Sequence, residues 1–218
     1  MVIVTDLEGV LIPEIWVEVA LRTGIDGLAI TTHEEPDFER LMDRRVQLLT
    51  RHDVRLPDLR RIADDLVPYP GAIELLAWAR TKGQVMIASD TFHELSEGIV
   101  LRMGGYNLFA NTFQVDASGR ILGYRLRIRG RKDNVIRSLR DIGYRILAIG
   151  DGYNDEQMFR IAHYSILYNA PDDLAARVPN GERATHYDEI REIIIRAHAE
   201  VQEDANREPE DAAKGLPR

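Results

Sequence analysis

Two stretches share one pattern: Val2-Ile3-Val4-Thr5-Asp6-Leu7-Glu8 and Ile146-Leu147-Ala148-Ile149-Gly150-Asp151-Gly152-Tyr153-Asn154-Asp155. In each, a short apolar run typical of a buried strand in a parallel sheet is followed by carboxylates. Ligands of open α/β sheets lie beyond the carboxyl ends of such strands, so we expect the carboxylates to meet in space. Packed carboxylates need a hard cation, and Mg²⁺ prefers oxygen ligands. The pattern therefore predicts an α/β fold with a magnesium site.

Length and composition favour one α/β domain with a small insertion. The 218 residues are 44% hydrophobic, which is enough for one core and too little chain for two full-sized domains. A net charge of −8 opposes general binding to nucleic acid or to an anionic membrane, so the expected partner is a small molecule. A monomer and a homodimer both remain open.

Targeting signals are not evident in the sequence. No apolar run approaches the roughly 18 residues that a membrane span requires, and no positively charged leader precedes Asp6. The chain contains no cysteine, which excludes disulfides, thiolate metal sites and cysteine catalysis. These features fit a cytoplasmic protein that does not associate with membranes.

Residues 13–69 are predicted to form a helical insertion between the first two strand units. They contain three amphipathic segments that begin at or near a proline, with no strand-like alternation between them. Such an insertion is expected to form a small helical cap over the site. The three predicted helices are Pro13 to about Thr23, Pro36 to about Arg51, and Pro57 to about Leu66.

Strands and helices alternate after Pro70, with a hairpin around Asp116–Gly119. This alternation predicts a doubly wound, Rossmann-like core with a parallel sheet, built from residues 1–12 and 70–200. Residues 201–218 are rich in charge and poor in apolar groups, so we expect them to form a disordered tail.

Two motifs together resemble those of the haloacid dehalogenase superfamily of aspartyl-phosphate phosphotransferases. They are Asp6-Leu7-Glu8-Gly9-Val10-Leu11-Ile12-Pro13-Glu14-Ile15-Trp16 and Gly150-Asp151-Gly152-Tyr153-Asn154-Asp155. Within that superfamily the chain is similar to the phosphoserine phosphatase group, and above all to the bifunctional phosphoserine phosphatase/homoserine phosphotransferases, through about residue 200. The resemblance implies a C1-type cap and a Mg²⁺-dependent enzyme of serine and threonine metabolism that hydrolyses O-phosphoserine. A phosphatase for another small phosphorylated metabolite, or a binding protein without catalysis, is the alternative.

The resemblance implies a role for each carboxylate. Asp6 would be the nucleophile and a metal ligand, and Asp151 would bind the metal. Asp155 would bind the metal through water or hold Lys132. Glu8 would be the general acid and base, with its main-chain carbonyl as a metal ligand. Most relatives have Asp at this second position, so we treat Glu8 as a hypothetical cause of preference for an alcohol over water as acceptor.

The phosphate-binding residues implied by the resemblance are Ser89, Lys132 and Asn154. Taken alone, Ser89 is more typical of a helix N-cap, and capping and phosphate binding are compatible uses of one helix start. Lys132 lies in a basic run, and neighbouring Arg131 is an alternative for the catalytic cation. Asp90 either binds a substrate ammonium or faces solvent. The basic run consists of Arg125, Arg127, Arg129, Arg131 and Lys132, whose alternate arginines are typical of a solvated hairpin face.

Three residues of the helical insertion resemble substrate-binding residues of the family. Glu14 would pair with the ammonium of phosphoserine, Arg45 with its carboxylate, and Met42 would line the same pocket. Spacing alone favours another interpretation, in which Glu14 is a charge in a first helical turn and Arg45 lies on a solvated helix face. The six histidines form no zinc-binding pattern.

Overall fold

The computed structural model describes residues 1–31, 34–35, 37–127 and 131–207. In this part of the chain seven strands form one sheet, and helices lie on both of its faces. The strands are β1 (Val2–Thr5), β2 (Gln84–Phe92), β3 (Asn107–Val115), β4 (Ile121–Arg125), β5 (Ile146–Gly150), β6 (Tyr164–Tyr168) and β7 (Glu182–Ala184).

The strand order is β4-β3-β2-β1-β5-β6-β7, and only β3 and β4 pair antiparallel. This is the doubly wound α/β architecture predicted from the sequence. The helices are α1 (Ile15–Thr23), α2 (Phe38–Arg51), α3 (Leu56–Asp64), α4 (Ala72–Ala79), α5 (His93–Arg102), α6 (Asp133–Asp141), α7 (Glu156–Ile161), α8 (Asp172–Arg177) and α9 (Tyr187–Arg207).

β1 lies at the centre of the sheet because it is apolar on both faces. It pairs in parallel with β2 on one side and with β5 on the other. Val2 and Val4 pack into the core beneath α6 and α7, whereas Ile3 points to the opposite layer. Successive strand side chains alternate between faces, so three apolar residues in a row fill both layers.

The segment between β1 and α4 contains the three expected helices α1, α2 and α3. The predicted start at Pro36 lies outside the described residues. Several hydrogen bonds join these helices to the β3–β4 hairpin. The Tyr124 hydroxyl donates to Asp43 Oδ1 at 2.7 Å, and the main-chain amide of Leu56 donates to the carbonyl of Gly119 at 2.9 Å. The helices are therefore attached to the sheet at a site remote in sequence from their ends.

The structure corrects the sequence prediction at the carboxyl end. Residues 201–207, expected to be disordered, continue α9, and residues 208–218 lie outside the described residues. α8 and β7 were also not predicted. No helix in the described part of the chain combines the length and the apolar character needed to cross a membrane.

Candidate active site

Three carboxylates converge beyond the carboxyl ends of β1 and β5. Thr5 and Ile149 are paired across these strands, which places Asp6 beside the loop that begins at Asp151. One oxygen each from Asp6, Asp151 and Asp155 lies within 4.8 Å of the others. Burial, and then repulsion from the Asp155 carboxylate, raise the pKa of Asp151 to about 7. All donors are anionic oxygens, so this group fits a hard divalent cation.

Two glycines allow this close packing. A Cβ atom at Gly9, where φ is +76°, would lie 2.0 Å from Asp151 Oδ2. A Cβ atom at Gly150 would lie 2.3 Å from Asp155 Oδ2. The same Asp155 oxygen accepts hydrogen bonds from the main-chain amides of Asp151 and Gly152, at 3.1 and 3.3 Å. The loop after β5 is thus folded around the Asp155 carboxylate.

Lys132 supplies the positive charge beneath these carboxylates. Its Nζ donates to Asp6 Oδ2 at 2.5 Å and to Asp155 Oδ1 at 2.8 Å, and its side chain is fully buried. Burial alone would lower the pKa of Lys132, but the Asp155 and Asp6 charges outweigh it and raise the pKa well above its usual value. Arg131 points elsewhere, since its guanidinium pairs with Asp133 at 2.9 Å. Of the two cations considered in the sequence, Lys132 is the one that contacts Asp6.

Glu8 lies outside the three-carboxylate group and is held by a main-chain amide. Ile15, the first residue of α1, donates from its N–H to Glu8 Oε1 at 2.8 Å. Burial, and then repulsion from Glu14, raise the pKa of Glu8 to about 8. A carboxyl group with this pKa can both give and take a proton near neutral pH, as an acid–base group requires.

The carboxyl end of β2 forms the facing wall. Ser89 is not a helix N-cap, because β2 continues to Phe92 and α5 begins at His93. Ser89 Oγ accepts a 3.4 Å hydrogen bond from the amide of Thr91. Asp90 Oδ2 accepts from Asn154 Nδ2 at 3.1 Å and lies 3.9 Å from Lys132 Nζ. The Asp90 side chain therefore faces the site and lies between Asn154 and Lys132, with a contact to each.

A cavity of about 340 Å³ separates these groups from the helical insertion. Glu14 and Arg45 both line it. Burial raises the pKa of Glu14, whereas Arg45 is 5% exposed and burial lowers its pKa to about 10. The interpretation of Arg45 as a solvated residue is therefore wrong.

Arg45 is held by contacts within the helical insertion. Its guanidinium lies 4.5 Å from the centre of the Trp16 ring, and its Nη2 donates to the carbonyl of Ile30 at 2.7 Å. Met42 does not line the cavity as expected; it is fully buried, and its sulfur accepts from Arg45 Nη1 at 3.6 Å. Met42 thus supports the arginine from beneath.

Some residues of the cavity were not singled out in the sequence. Trp16 was not a candidate site residue; it packs in the core and is also a wall of the cavity. Thr91 could have been found, since it lies two residues from Ser89, which was already a candidate. The remaining walls carried no local signal because they come from five separate loops and helices. They include Val17, Thr31, Phe38, Leu41, Tyr153, Asn169 and Pro171. Arg129, part of the basic run, lies outside the described residues.

Comparison with known proteins agrees with this geometry. A profile of haloacid dehalogenase-like hydrolases matches residues 1–163. Phosphoserine phosphatase ThrH of Pseudomonas aeruginosa is 37% identical over 192 residues, covering 88% of this chain and 94% of that protein. A phosphoserine phosphatase of Pseudomonas syringae pv. tomato is also 37% identical over 192 residues, covering 88% of this chain and 81% of the relative.

Solved structures show the same fold. A phospho-aspartyl intermediate analogue of phosphoserine phosphatase superposes with a TM-score of 0.74 at 22% identity, covering 88% of this chain and 97% of the other. The phosphoserine phosphatase from T. onnurineus in complex with NDSB-201 gives a TM-score of 0.66 at 28% identity, covering 88% and 93%. With the profile matching three quarters of its length, this chain belongs to the haloacid dehalogenase-like hydrolases.

Proposed function

We propose that this chain is a phosphoserine phosphatase that forms a covalent aspartyl-phosphate on Asp6. The observation that carries the proposal is the buried Lys132 ammonium, which contacts Asp155 and also Asp6, a residue that lines the cavity. This arrangement holds a carboxylate nucleophile beside a positive charge that can bind phosphate. Two relatives at 37% identity are named phosphoserine phosphatases, which supports the choice of substrate.

The proposed cofactor is Mg²⁺, held by Asp6, Asp151 and Asp155. The convergence of their oxygens within 4.8 Å supports this assignment, and the main-chain carbonyl of Glu8 is a further proposed ligand. When bound, the ion supplies positive charge that offsets the charge on the phosphate oxygens. In the protein itself, Lys132 opposes the repulsion among these carboxylates.

In the first proposed step, an Asp6 oxygen attacks phosphorus and the bond from phosphorus to the serine oxygen breaks. Glu8 gives its proton to the departing serine alkoxide. In the second step, Glu8 takes a proton from water as the water oxygen attacks phosphorus and the bond to Asp6 breaks. The raised pKa of Glu8 supports this role, because the protonated form needed first is populated near neutral pH.

Recognition of the substrate is proposed to divide between the two walls of the cavity. Ser89, Lys132 and Asn154 would hold the phosphate, while Glu14 and Arg45 would pair with the ammonium and the carboxylate. The burial of Arg45 beside Trp16 supports a specific partner, because a guanidinium out of water needs an anion. We further propose that residues 13–69 act as the cap, over a core of residues 1–12 and 70–200.

Transfer of the phosphoryl group to homoserine is a second candidate activity. The hydrogen bond from the Ile15 amide to Glu8 favours this activity. The bond fixes the acid–base group to α1, beside which an alcohol acceptor would bind. An acceptor held in this position would compete with water for the aspartyl-phosphate.

The test is to measure phosphate release and phosphohomoserine formation from O-phosphoserine with Mg²⁺, with and without homoserine. Phosphate release establishes the phosphatase, and phosphohomoserine establishes the transferase. The control is Asp6→Asn, which removes the nucleophile at nearly constant volume and is expected to lower turnover at least about a thousandfold. Near-normal turnover in that variant would contradict the covalent route, and no release from phosphoserine would direct the search to other phosphorylated metabolites.

A further inference from the structure

Four buried side-chain nitrogen or oxygen atoms have no hydrogen-bond partner within the described part of the chain. Two of them, Arg45 Nε and Thr91 Oγ1, belong to residues that line the active-site cavity. Arg45 is 5% exposed and Thr91 is 2% exposed. Buried polar groups in native proteins are nearly always paired, so two such atoms in one cavity point to a bound ligand as their partner.

The charges around the cavity identify the kind of group that fits there. Among the described residues that line it, Arg45 is the only one with a positive charge, because Lys132 lies beneath the floor. Arg45 already donates to Ile30 and Met42, which leaves its Nε–H for a ligand. An anionic substituent is the natural acceptor for this group, and a hydroxyl on the facing wall can donate to the same anion.

Thr91 lies two residues beyond Ser89 in β2. The pairing of β2 with β3 is irregular between Ala88 and Phe92, so simple strand alternation does not apply to this stretch. The main-chain amide of Thr91 donates to Ser89 Oγ at 3.4 Å, whereas its hydroxyl has no partner among the described residues. The Thr91 hydroxyl, like Arg45 Nε, is therefore a donor for a ligand in the cavity that both residues line.

We propose that Thr91 is a specificity-determining residue whose hydroxyl donates a hydrogen bond to the carboxylate of the substrate, across the cavity from Arg45. This inference rests on the proposed phosphoserine phosphatase function. It makes the carboxylate a bridge between the sheet and the helical insertion, since β2 supplies one donor and α2 the other. An amino-acid phosphate is therefore selected over a phosphate ester that lacks the carboxylate.

The test compares Thr91→Val, which replaces the hydroxyl with a methyl group, with Thr91→Ser, which retains it. For Thr91→Val we expect the KM for O-phosphoserine to rise about tenfold or more, with a smaller change in kcat, because one hydrogen bond to a charged group is lost. Thr91→Ser should recover most of the affinity. Both variants are also measured with two competitive inhibitors, phosphoethanolamine, which lacks the carboxylate, and 3-phosphoglycerate, which lacks the ammonium.

The inhibitors decide which substrate group Thr91 contacts. The proposal expects Thr91→Val to weaken inhibition by 3-phosphoglycerate about as much as it weakens phosphoserine binding, and to leave phosphoethanolamine nearly unaffected. Equal weakening of all three ligands would assign Thr91 to the phosphate and overturn the proposal. Weakening of phosphoethanolamine but not of 3-phosphoglycerate would assign it to the ammonium, with the same consequence. An unchanged KM would also overturn it.

The unfolding temperature distinguishes a substrate-binding role of Thr91 from a purely structural one. The Thr91 hydroxyl has no partner among the described residues, so Thr91→Val should unfold at the same temperature as the unaltered protein or a higher one. A lower unfolding temperature together with a raised KM would indicate a structural role instead. Absence of phosphoserine hydrolysis in the unaltered protein would refute the proposed function itself, which is a different outcome from an unaltered protein that is active and a Thr91→Val variant with normal KM.

Discussion

Glu8 is tied to the helical insertion by one hydrogen bond from the Ile15 amide, 2.8 Å from Oε1. Ile15→Pro removes this N–H and little else from the backbone, because proline is favoured at the first position of a helix. Glu14, with φ −59° and ψ 116°, already has a conformation that suits a residue before proline. We expect kcat for phosphoserine hydrolysis to fall about tenfold relative to Ile15→Ala.

Ile15→Ala is the matched control for this change. It keeps the amide and, like the proline variant, loses most of a fully buried side chain, so both should lose about 2–4 kcal/mol of stability. Only the proline variant loses the donor to Glu8. Steady-state kinetics and urea unfolding of both proteins check the prediction, and equal kcat values would show that the Ile15 amide does not position Glu8.

At the scale of single residues, the sequence could predict which side chains are candidates but not how they are arranged. Lys132 and Arg131 are adjacent cations, and no local rule distinguishes them. Packing does so, because Asp6, 126 positions away in sequence, contacts Lys132, whereas Arg131 pairs with Asp133. Arg45 shows the same limit: its burial depends on Trp16 and Ile30, which come from other parts of the insertion.

Among the elements, α6 carries Lys132 into the site and is anchored by Asp133. The buried Asp133 carboxylate accepts from Arg131 Nε at 2.9 Å and from Arg137 Nε at 3.2 Å. These bonds, with that from Arg131 foremost, lower the pKa of Asp133 below its usual value. The stabilisation is therefore present above the unfolded-state pKa of about 3.9 and is lost as pH falls through the lower folded-state value.

We therefore expect Asp133→Asn to lower the free energy of unfolding by about 1 kcal/mol at pH 7. The difference from the unaltered protein should shrink as the pH falls below about 4, because the unfolded state then takes up the proton first, and should vanish only below the lower folded-state pKa. Urea unfolding across this pH range is the measurement. Asp141→Asn, at the exposed opposite end of the helix, is the control and should change stability little. A difference for Asp133→Asn that does not vary with pH would contradict the ionic explanation.

The β3–β4 hairpin holds the helical insertion through Tyr124. Its hydroxyl donates to Asp43 Oδ1 at 2.7 Å and to the carbonyl of Glu39 at 3.0 Å. Tyr124→Phe removes only this hydroxyl, so we expect a loss of about 1 kcal/mol in stability and a KM raised about threefold, because the insertion is held less closely over the cavity. Tyr144→Phe, at a partly exposed tyrosine before β5, is the control. A normal KM for Tyr124→Phe would show that this contact does not influence substrate binding.

The elements that the sequence mispredicted failed for identifiable reasons. β2 continues beyond its apolar run to Phe92, because polar Ser89, Asp90 and Thr91 belong to a strand whose end lines a cavity. α9 has the helical spacing Ile190, Ile193, Ile194 and Ala197, all buried, and this signal was overlooked. Its last turns, through Asn206, bury almost nothing, so composition alone favoured disorder there.

For the whole molecule, the doubly wound fold was predictable because each apolar strand and amphipathic helix repeats a local period. The helical insertion was predictable for the same reason, since its three segments lack strand-like alternation. The long-range contacts between these elements were not predictable. The hairpin meets the insertion through Tyr124 and Asp43, which are 81 residues apart, and no local pattern specifies such a pairing.

Part of the molecule's negative charge lies in one cluster of carboxylates. The net charge is −8, and the carboxylates of Asp6, Asp151 and Asp155 meet where β1, near the start of the chain, joins the loop after β5. A divalent cation bound there stabilises only the folded chain, because the unfolded chain separates its ligands. At a Mg²⁺ concentration one hundred times its Kd, the gain is about 2.7 kcal/mol, which raises the unfolding temperature by roughly 5–10 °C.

Asp151→Asn distinguishes this site from general screening by salt. With EDTA, the variant should be as stable as the unaltered protein or more so, because it lacks one of three mutually repelling carboxylates. With Mg²⁺, it should lose most of the gain in unfolding temperature, whereas Asp141→Asn, remote from the cluster, should retain it. Thermal unfolding of the three proteins in EDTA and in Mg²⁺, at constant ionic strength, is the measurement. An equal Mg²⁺-dependent rise in all three would assign the effect to surface charge and remove the physical basis for a metal at the junction of β1 and β5.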